Sequence, residues 1–158
     1  MQDEMGYRNA KAVYPIIRQG RLLKTREDGK RSTNSLAIAI LQYMAINTYD
    51  WPPTDEMKAK YVPCRYYQLG WRSIAEDLGM LAVGIDAEDF EAAMKSREIT
   101  ARNRVSQAWK FLTEQGVIKC LVPASLGKNA GYLLLIGDPA ENREVEAWAR
   151  KCLGLPQH

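Results

Sequence analysis

Thr100-Ala101-Arg102-Asn103-Arg104-Val105-Ser106-Gln107-Ala108-Trp109-Lys110-Phe111-Leu112-Thr113-Glu114-Gln115-Gly116-Val117-Ile118 is the stretch on which the reading of this chain turns. Val105, Ala108, Trp109 and Leu112 stand at the offsets that place side chains on one face of an α-helix. Thr100 can cap such a helix and Gly116 can end it, so a helix is predicted over residues 100–115. Turning the apolar stripe inward leaves Arg102, Asn103, Ser106, Gln107 and Lys110 outward, with Arg104 at the flank, a face without an acid. Arg can donate two bonds to guanine, Asn and Gln can pair with adenine, and Ser or Lys can hold phosphate, so these residue types suit a major groove. The helix N-terminus adds a field favourable to phosphate. A solvated polar face, which every surface helix needs, is the competing reading of the same residues.

Working outward, residues 71–78 read as a short helix with Ile74, Ala75 and Leu78 inward, ended by Gly79 where a left-handed cap is cheapest. Upstream, Ser32, Thr33 or Asn34 can cap a helix to about residue 48. Leu36, Ile40, Tyr43 and Asn47 form one stripe of it and Ala37, Leu41 and Met44 lie beside, a girdle wide enough to imply a buried helix. Trp51-Pro52-Pro53 stops that helix, and residues 65–69 can form a short strand before Gly70. Downstream, residues 117–124 and 131–136 are apolar runs around the polar tip Ser125-Leu126-Gly127-Lys128-Asn129-Ala130, the pattern of a hairpin. Residues 141–153 can form a closing helix with Val145, Trp148, Ala149 and Cys152 inward.

This order of elements resembles the winged helix-turn-helix family, in particular modules of bacterial plasmid or phage replication initiators and of transcription regulators. The likeness rests on Trp71-Arg72-Ser73-Ile74-Ala75-Glu76-Asp77-Leu78-Gly79 as second helix and on the opening stretch as recognition helix running into the wing, and it covers residues 34–136. It implies a mainly α, α+β fold: a winged helix-turn-helix with a helical insertion between the second and recognition helices and a C-terminal helix. It also implies double-stranded DNA as partner, in transcription regulation or replication initiation of a mobile element. In that frame Lys128 and Asn129 at the hairpin tip fit a wing touching sugar or phosphate, and Arg72 and Ser73 can position the backbone. Each has an ordinary alternative, a solvated turn and an uninvolved helix start. Tyr66, Tyr67, Trp71 and Trp109 are expected as core aromatics.

One departure is large. About twenty residues separate Gly79 from Thr100 where the family has a short turn. Asp86 can cap a helix over residues 87–97, and Asp86, Glu88, Asp89, Glu91 and Glu98 make the 80–98 insertion acidic. Either it projects away, using Phe90, Ala93 and Met94 for packing or for a protein partner, or it covers the recognition face. The second outcome favours a protein-interaction module, such as a phage-encoded inhibitor or an assembly adaptor.

The rest of the composition bounds these readings. The chain has 158 residues, 46% hydrophobic and 26% charged, with a net charge of +3, as in an ordinary domain with a core. Residues 1–31 hold eight Lys or Arg against four acids, among them Arg18, Arg21, Lys24, Arg26, Lys30 and Arg31, and are expected as a basic N-terminal arm with a hairpin turn at Asp28-Gly29. Residues 32–137 are then the winged-helix domain and 138–158 the C-terminal helix and tail. No apolar run approaches a membrane span and no secretory leader is visible, so a cytoplasmic protein without membrane partner is expected. Cys64, Cys120 and Cys152 fit neither a disulfide framework nor metal spacing, and the single histidine is the terminal His158. With no phosphate loop and no nucleophile–base pair, neither enzyme chemistry, metal nor cofactor is expected. Val145 and Trp148 of the last helix can either support a homodimer or cap the core.

Overall fold

The computed structural model describes residues 5–84 and 89–157. Six helices and two small antiparallel sheets make up this described part, an α+β architecture. The chain runs α1 (Tyr7–Arg18), β1 (Leu23–Thr25), β2 (Arg31–Thr33), α2 (Ser35–Ile46), α3 (Asp55–Lys60), β3 (Tyr66–Tyr67), α4 (Gly70–Asp77), α5 (Phe90–Glu114), β4 (Ile118–Val122), β5 (Gly131–Leu134) and α6 (Pro139–Leu153). Strands β1 and β2 form a hairpin, while β3, β5 and β4 lie in that order in the second sheet.

Helix α2 is the centre of the core. Asn34 caps it by accepting from the Ala37 amide at 3.1 Å, and Ala37, Ile40, Leu41, Met44 and Ala45 are fully buried. A helix apolar nearly all round has no solvent face to orient it, so its neighbours must enclose it. They are α1, α4 and α5. Residues 117–124 and 131–136 form the expected hairpin, with Ile118 opposite Leu134 and Cys120 opposite Tyr132. The short strand at Tyr66–Tyr67 joins its free edge, pairing Tyr66 with Leu133 and Tyr67 with Tyr132. Helix α6 starts from an Asp138 cap and lays Val145 and Ala149 against Leu133.

Two expectations change, and the packing of the last helix is a third point. The helices expected at 87–97 and 100–115 are, over the described residues, one helix of 25 residues. No glycine or proline lies between Arg97 and Ala101, so nothing forces a break, and Thr100 sits inside the helix instead of capping it. The cap is the Asp89 carboxylate, which accepts from the Ala92 amide; Asp86, Ala87 and Glu88 lie outside the described residues. Second, residues 7–18, expected within a basic arm, form α1 and bury Asn9, Val13 and Ile16 against α2. Its i, i+4 and i+7 stripe is real, but Pro15 within it signals a break. Only the hairpin around Asp28-Gly29 keeps the anticipated form, with Arg26 and Lys30 joined across the turn. Third, the apolar side chains of α6 are already committed: Val145 is fully buried, and the Trp148 indole N–H donates to the Val62 carbonyl at 2.9 Å while its ring stacks on Tyr61. Val145 thus caps the sheet, while the half-buried Trp148 keeps part of its ring at the surface.

A buried polar cluster fastens the two halves of the molecule. Asn9 donates to the Thr48 hydroxyl and to the Tyr49 carbonyl, its own amide donates to Asp50, and its side-chain oxygen accepts from Arg65 Nε at 2.8 Å. Arg65, buried with φ of 55°, also donates to Glu141 at 3.0 Å, and its carbonyl accepts from the Leu134 amide. Four segments meet there. Buried polar atoms cost free energy unless paired, so removing one partner strands the others. We expect Arg65→Met to lower unfolding stability by about 2–3 kcal/mol, visible as a lower urea midpoint at unchanged slope, because it leaves Asn9 and a half-buried Glu141 without their donor. A midpoint equal to wild type shows that the cluster is not needed.

Candidate nucleic-acid interface

The candidate surface is set by how α5 is held. Ala101, Val105, Ala108 and Leu112 face the core and are nearly or fully buried. Trp109 is half-buried; its indole N–H donates to the Met44 sulfur at 3.3 Å and its ring lies 4.6 Å from that of Tyr132. Arg102, Asn103, Arg104, Ser106, Gln107 and Lys110 are consequently all exposed. None of Arg102, Arg104, Lys110 and Lys128 has an ion-pair partner among the described residues.

A cleft of about 640 Å³ runs beside this face. Trp71 of α4, Arg102 and Ser106 of α5, and Lys128 and Asn129 of the β4–β5 connection line it. The connection turns on Ser125 and Lys128, which exchange backbone hydrogen bonds, and it presents Leu126 fully to solvent. Asn129 docks this tip: its side chain donates to the Gln68 carbonyl at 3.3 Å and lies over Gly70. Gly70 has φ of 83° and a Cβ there would stand 2.7 Å from the Asn129 amide, so the close seat of the tip on α4 requires glycine. Asn129 is thus a strut for the tip, and Lys128 is the group it presents.

Arg72 and Ser73 are placed differently from the other candidates. The Arg72 guanidinium is paired with Glu98 at 2.6 Å and Glu76 at 3.8 Å. Ser73 faces α2, where its hydroxyl bonds the Tyr43 hydroxyl at 2.5 Å, and Tyr43 in turn donates to Asp77. Burial, reinforced by the bond to Asp77, raises the Tyr43 pKa above its ordinary value. Ser73 therefore links helices and is not turned toward the cleft. The helix-end field is also displaced: α5 begins at Phe90, twelve residues or about 18 Å before Arg102, too far for its amides to serve the exposed face.

The part of the acidic insertion that belongs to α5 does not cover the face. Residues 90–98 run along the α5 axis, and Glu98 is turned aside to α4 by its bond to Arg72; residues 85–88 of the insertion lie outside the described residues. Trp71, expected in the core, is half-buried and carries the Arg72 and Arg102 guanidinium groups 5.5 and 6.0 Å from its ring centre. It steadies Arg102 at the cleft edge. Starting the recognition helix at Thr100 also hides Lys95, Ser96 and Ile99, which continue the same side of α5 and are exposed. Ile99 stands three and four residues before Arg102 and Asn103, and Ser96 and Lys95 three and four before Ile99, a spacing that was the available signal.

No metal-binding group of three or more ligands occurs among the described residues, and no helix there is long and apolar enough to cross a membrane. Burial pushes the Cys64 thiol up to about 12, a structural and unreactive sulfur. Comparison with protein-family models, curated protein sequences and solved structures returns no match.

The electrostatics can be tested with a polyanion column, independently of any base sequence. Glu98→Gln removes a negative charge and frees Arg72, so this variant elutes from heparin at higher salt than wild type, whereas Lys110→Ala elutes at lower salt. Unchanged elution of both variants places the polyanion-binding surface elsewhere.

Proposed function

We propose that this chain is a sequence-preferring duplex-DNA binder built as a winged helix-turn-helix, in which α5 enters the major groove and the β4–β5 tip lies on the backbone. The observation that carries this reading is the exposed run Arg102, Asn103, Arg104, Ser106, Gln107 and Lys110 of α5, which holds no acid before Glu114 and whose Arg102 and Ser106 line the same cleft as Lys128. Support also comes from the order α2, β3, α4, α5, β4, β5, which, apart from the short α3 inserted between α2 and β3, is that of the winged-helix family resembled by the sequence, with β3 closing the edge of the hairpin. In this arrangement Arg102, Asn103 and Gln107 read base edges, while Ser106, Lys110 and Lys128 hold phosphates. Arg104 reaches the backbone at the flank. Such a module serves regulation of transcription or initiation of replication on a plasmid or phage.

A second reading, a winged-helix module that contacts protein, draws on Phe90, exposed at the start of α5 well before the first buried residue of that helix, Ala101. The two separate cleanly. Phosphate neutralisation releases counterions, so a DNA binder is retained on duplex at low salt and loses affinity steeply as salt rises. Absence of retention at low salt refutes the DNA reading and favours the protein-contact one.

Within the DNA reading, Arg102→Ala and Asn103→Ala relax discrimination between selected and mismatched duplexes by about tenfold each. Lys128→Ala weakens binding to all duplexes about equally and lowers the salt slope by about one. Equal affinity and equal discrimination across the three variants, measured by fluorescence anisotropy, contradict these assignments.

A further inference from the structure

Along the outward side of α5 every exposed side chain from Lys95 to Lys110 is polar or charged except one. Ile99 is 59% exposed, with Lys95 and Ser96 one turn before it and Arg102 and Asn103 one turn after. The core accounts for the other large aliphatic residues of this half of the helix, Val105 and Leu112, which are fully buried. Ile99 touches no cluster of the core, lies a half-turn away from the buried stripe, and is a poorer helix former than the straight-chain residues that usually fill exposed positions. Core packing therefore does not require an aliphatic side chain there.

The proposed function supplies a reason for one. In the major groove the thymine C5-methyl is the apolar group presented at a base edge. A helix that places Arg102 and Asn103 on base edges carries Ile99 one turn, about 5.4 Å, further along the groove, a displacement of one to two base pairs. We propose that Ile99 is a specificity-determining residue that packs on a thymine methyl within two base pairs of those read by Arg102 and Asn103. This inference rests on the DNA reading and adds to it a base identity set by apolar contact. The flanking Lys95 and Ser96 carry no acid toward that position and suit the adjoining phosphates.

The test uses the full chain and a duplex selected from a random pool. Each thymine of the site is replaced singly by deoxyuridine, which lacks the methyl and keeps the hydrogen-bonding edge. For wild type, one replacement close to the bases whose identity depends on Arg102 and Asn103 weakens binding about fourfold, the effect of one buried methyl. Ile99→Ala binds the thymine duplex about as weakly as wild type binds the deoxyuridine one and no longer distinguishes them, whereas Ile99→Val retains the distinction. Helix content by circular dichroism stays at the wild-type level, since alanine favours the helix more than isoleucine. Binding by wild type that is indifferent to every replacement, a selected site without thymine there, or an Ile99→Ala variant that still discriminates overturns the inference while leaving DNA binding intact. Failure of wild type to bind any duplex at low salt removes the DNA reading and the inference with it.

Discussion

Packing of the Ala101, Val105, Ala108 and Leu112 stripe of α5 against α2 and α4 is the constraint from which the proposed interface follows. Burying one side of a helix decides what the other displays. Because α2 is apolar nearly all round, it offers α5 a continuous bed, and the Trp109 indole locks the azimuth through Met44 and Tyr132. Rotation of α5 by one residue, about 100°, would bury Arg102 and Ser106 and expose Val105. Such a rotation loses the transfer free energy of several aliphatic side chains and buries a guanidinium, so the observed azimuth is strongly preferred.

The second support is the sheet. Strand β5 carries the hairpin tip, and its position depends on pairing with β3, whose preceding residue Arg65 sits in the polar cluster with Asn9, Asp50 and Glu141. The cluster ties α1 and α6 to the strand edge, far from the exposed face. Lys128 is thereby referred back to the scaffold through two routes, the β3–β5 ladder below and the Asn129–Gly70 contact at the tip. Pre-organisation of this kind reduces the ordering cost when a ligand binds.

Much of this was legible in the chain. The α5 stripe, the enclosed α2, the short helix ending near Gly79, the hairpin and the closing helix all follow from period and punctuation, since each has an apolar pattern bounded by a turn residue. What escaped has physical causes. Thr100 looks like a cap residue, yet with no breaker nearby the helix runs through it, which moved its positive end away from the face and hid Lys95 and Ile99. Pro15 masked α1, and α3 is only six residues long, held by a Thr54 cap. The pairing of Arg72 with Glu98 joins residues 26 apart in sequence, and the Asn9–Arg65 bond joins residues 56 apart. No local pattern announces either; both depend on tertiary placement.

The central claim is that the cation-bearing side of α5 meets a polyanion while its aliphatic side stays in the core. Titrating the isotope-labelled full chain with a duplex and following side-chain signals by NMR tests it most directly. On binding, the amide groups of Asn103 and Gln107 are expected to shift markedly, while the methyl groups of Val105 and Leu112 stay nearly fixed. Shifts confined to the Phe90 end of the helix or to α6, with Asn103 and Gln107 unmoved, would contradict it.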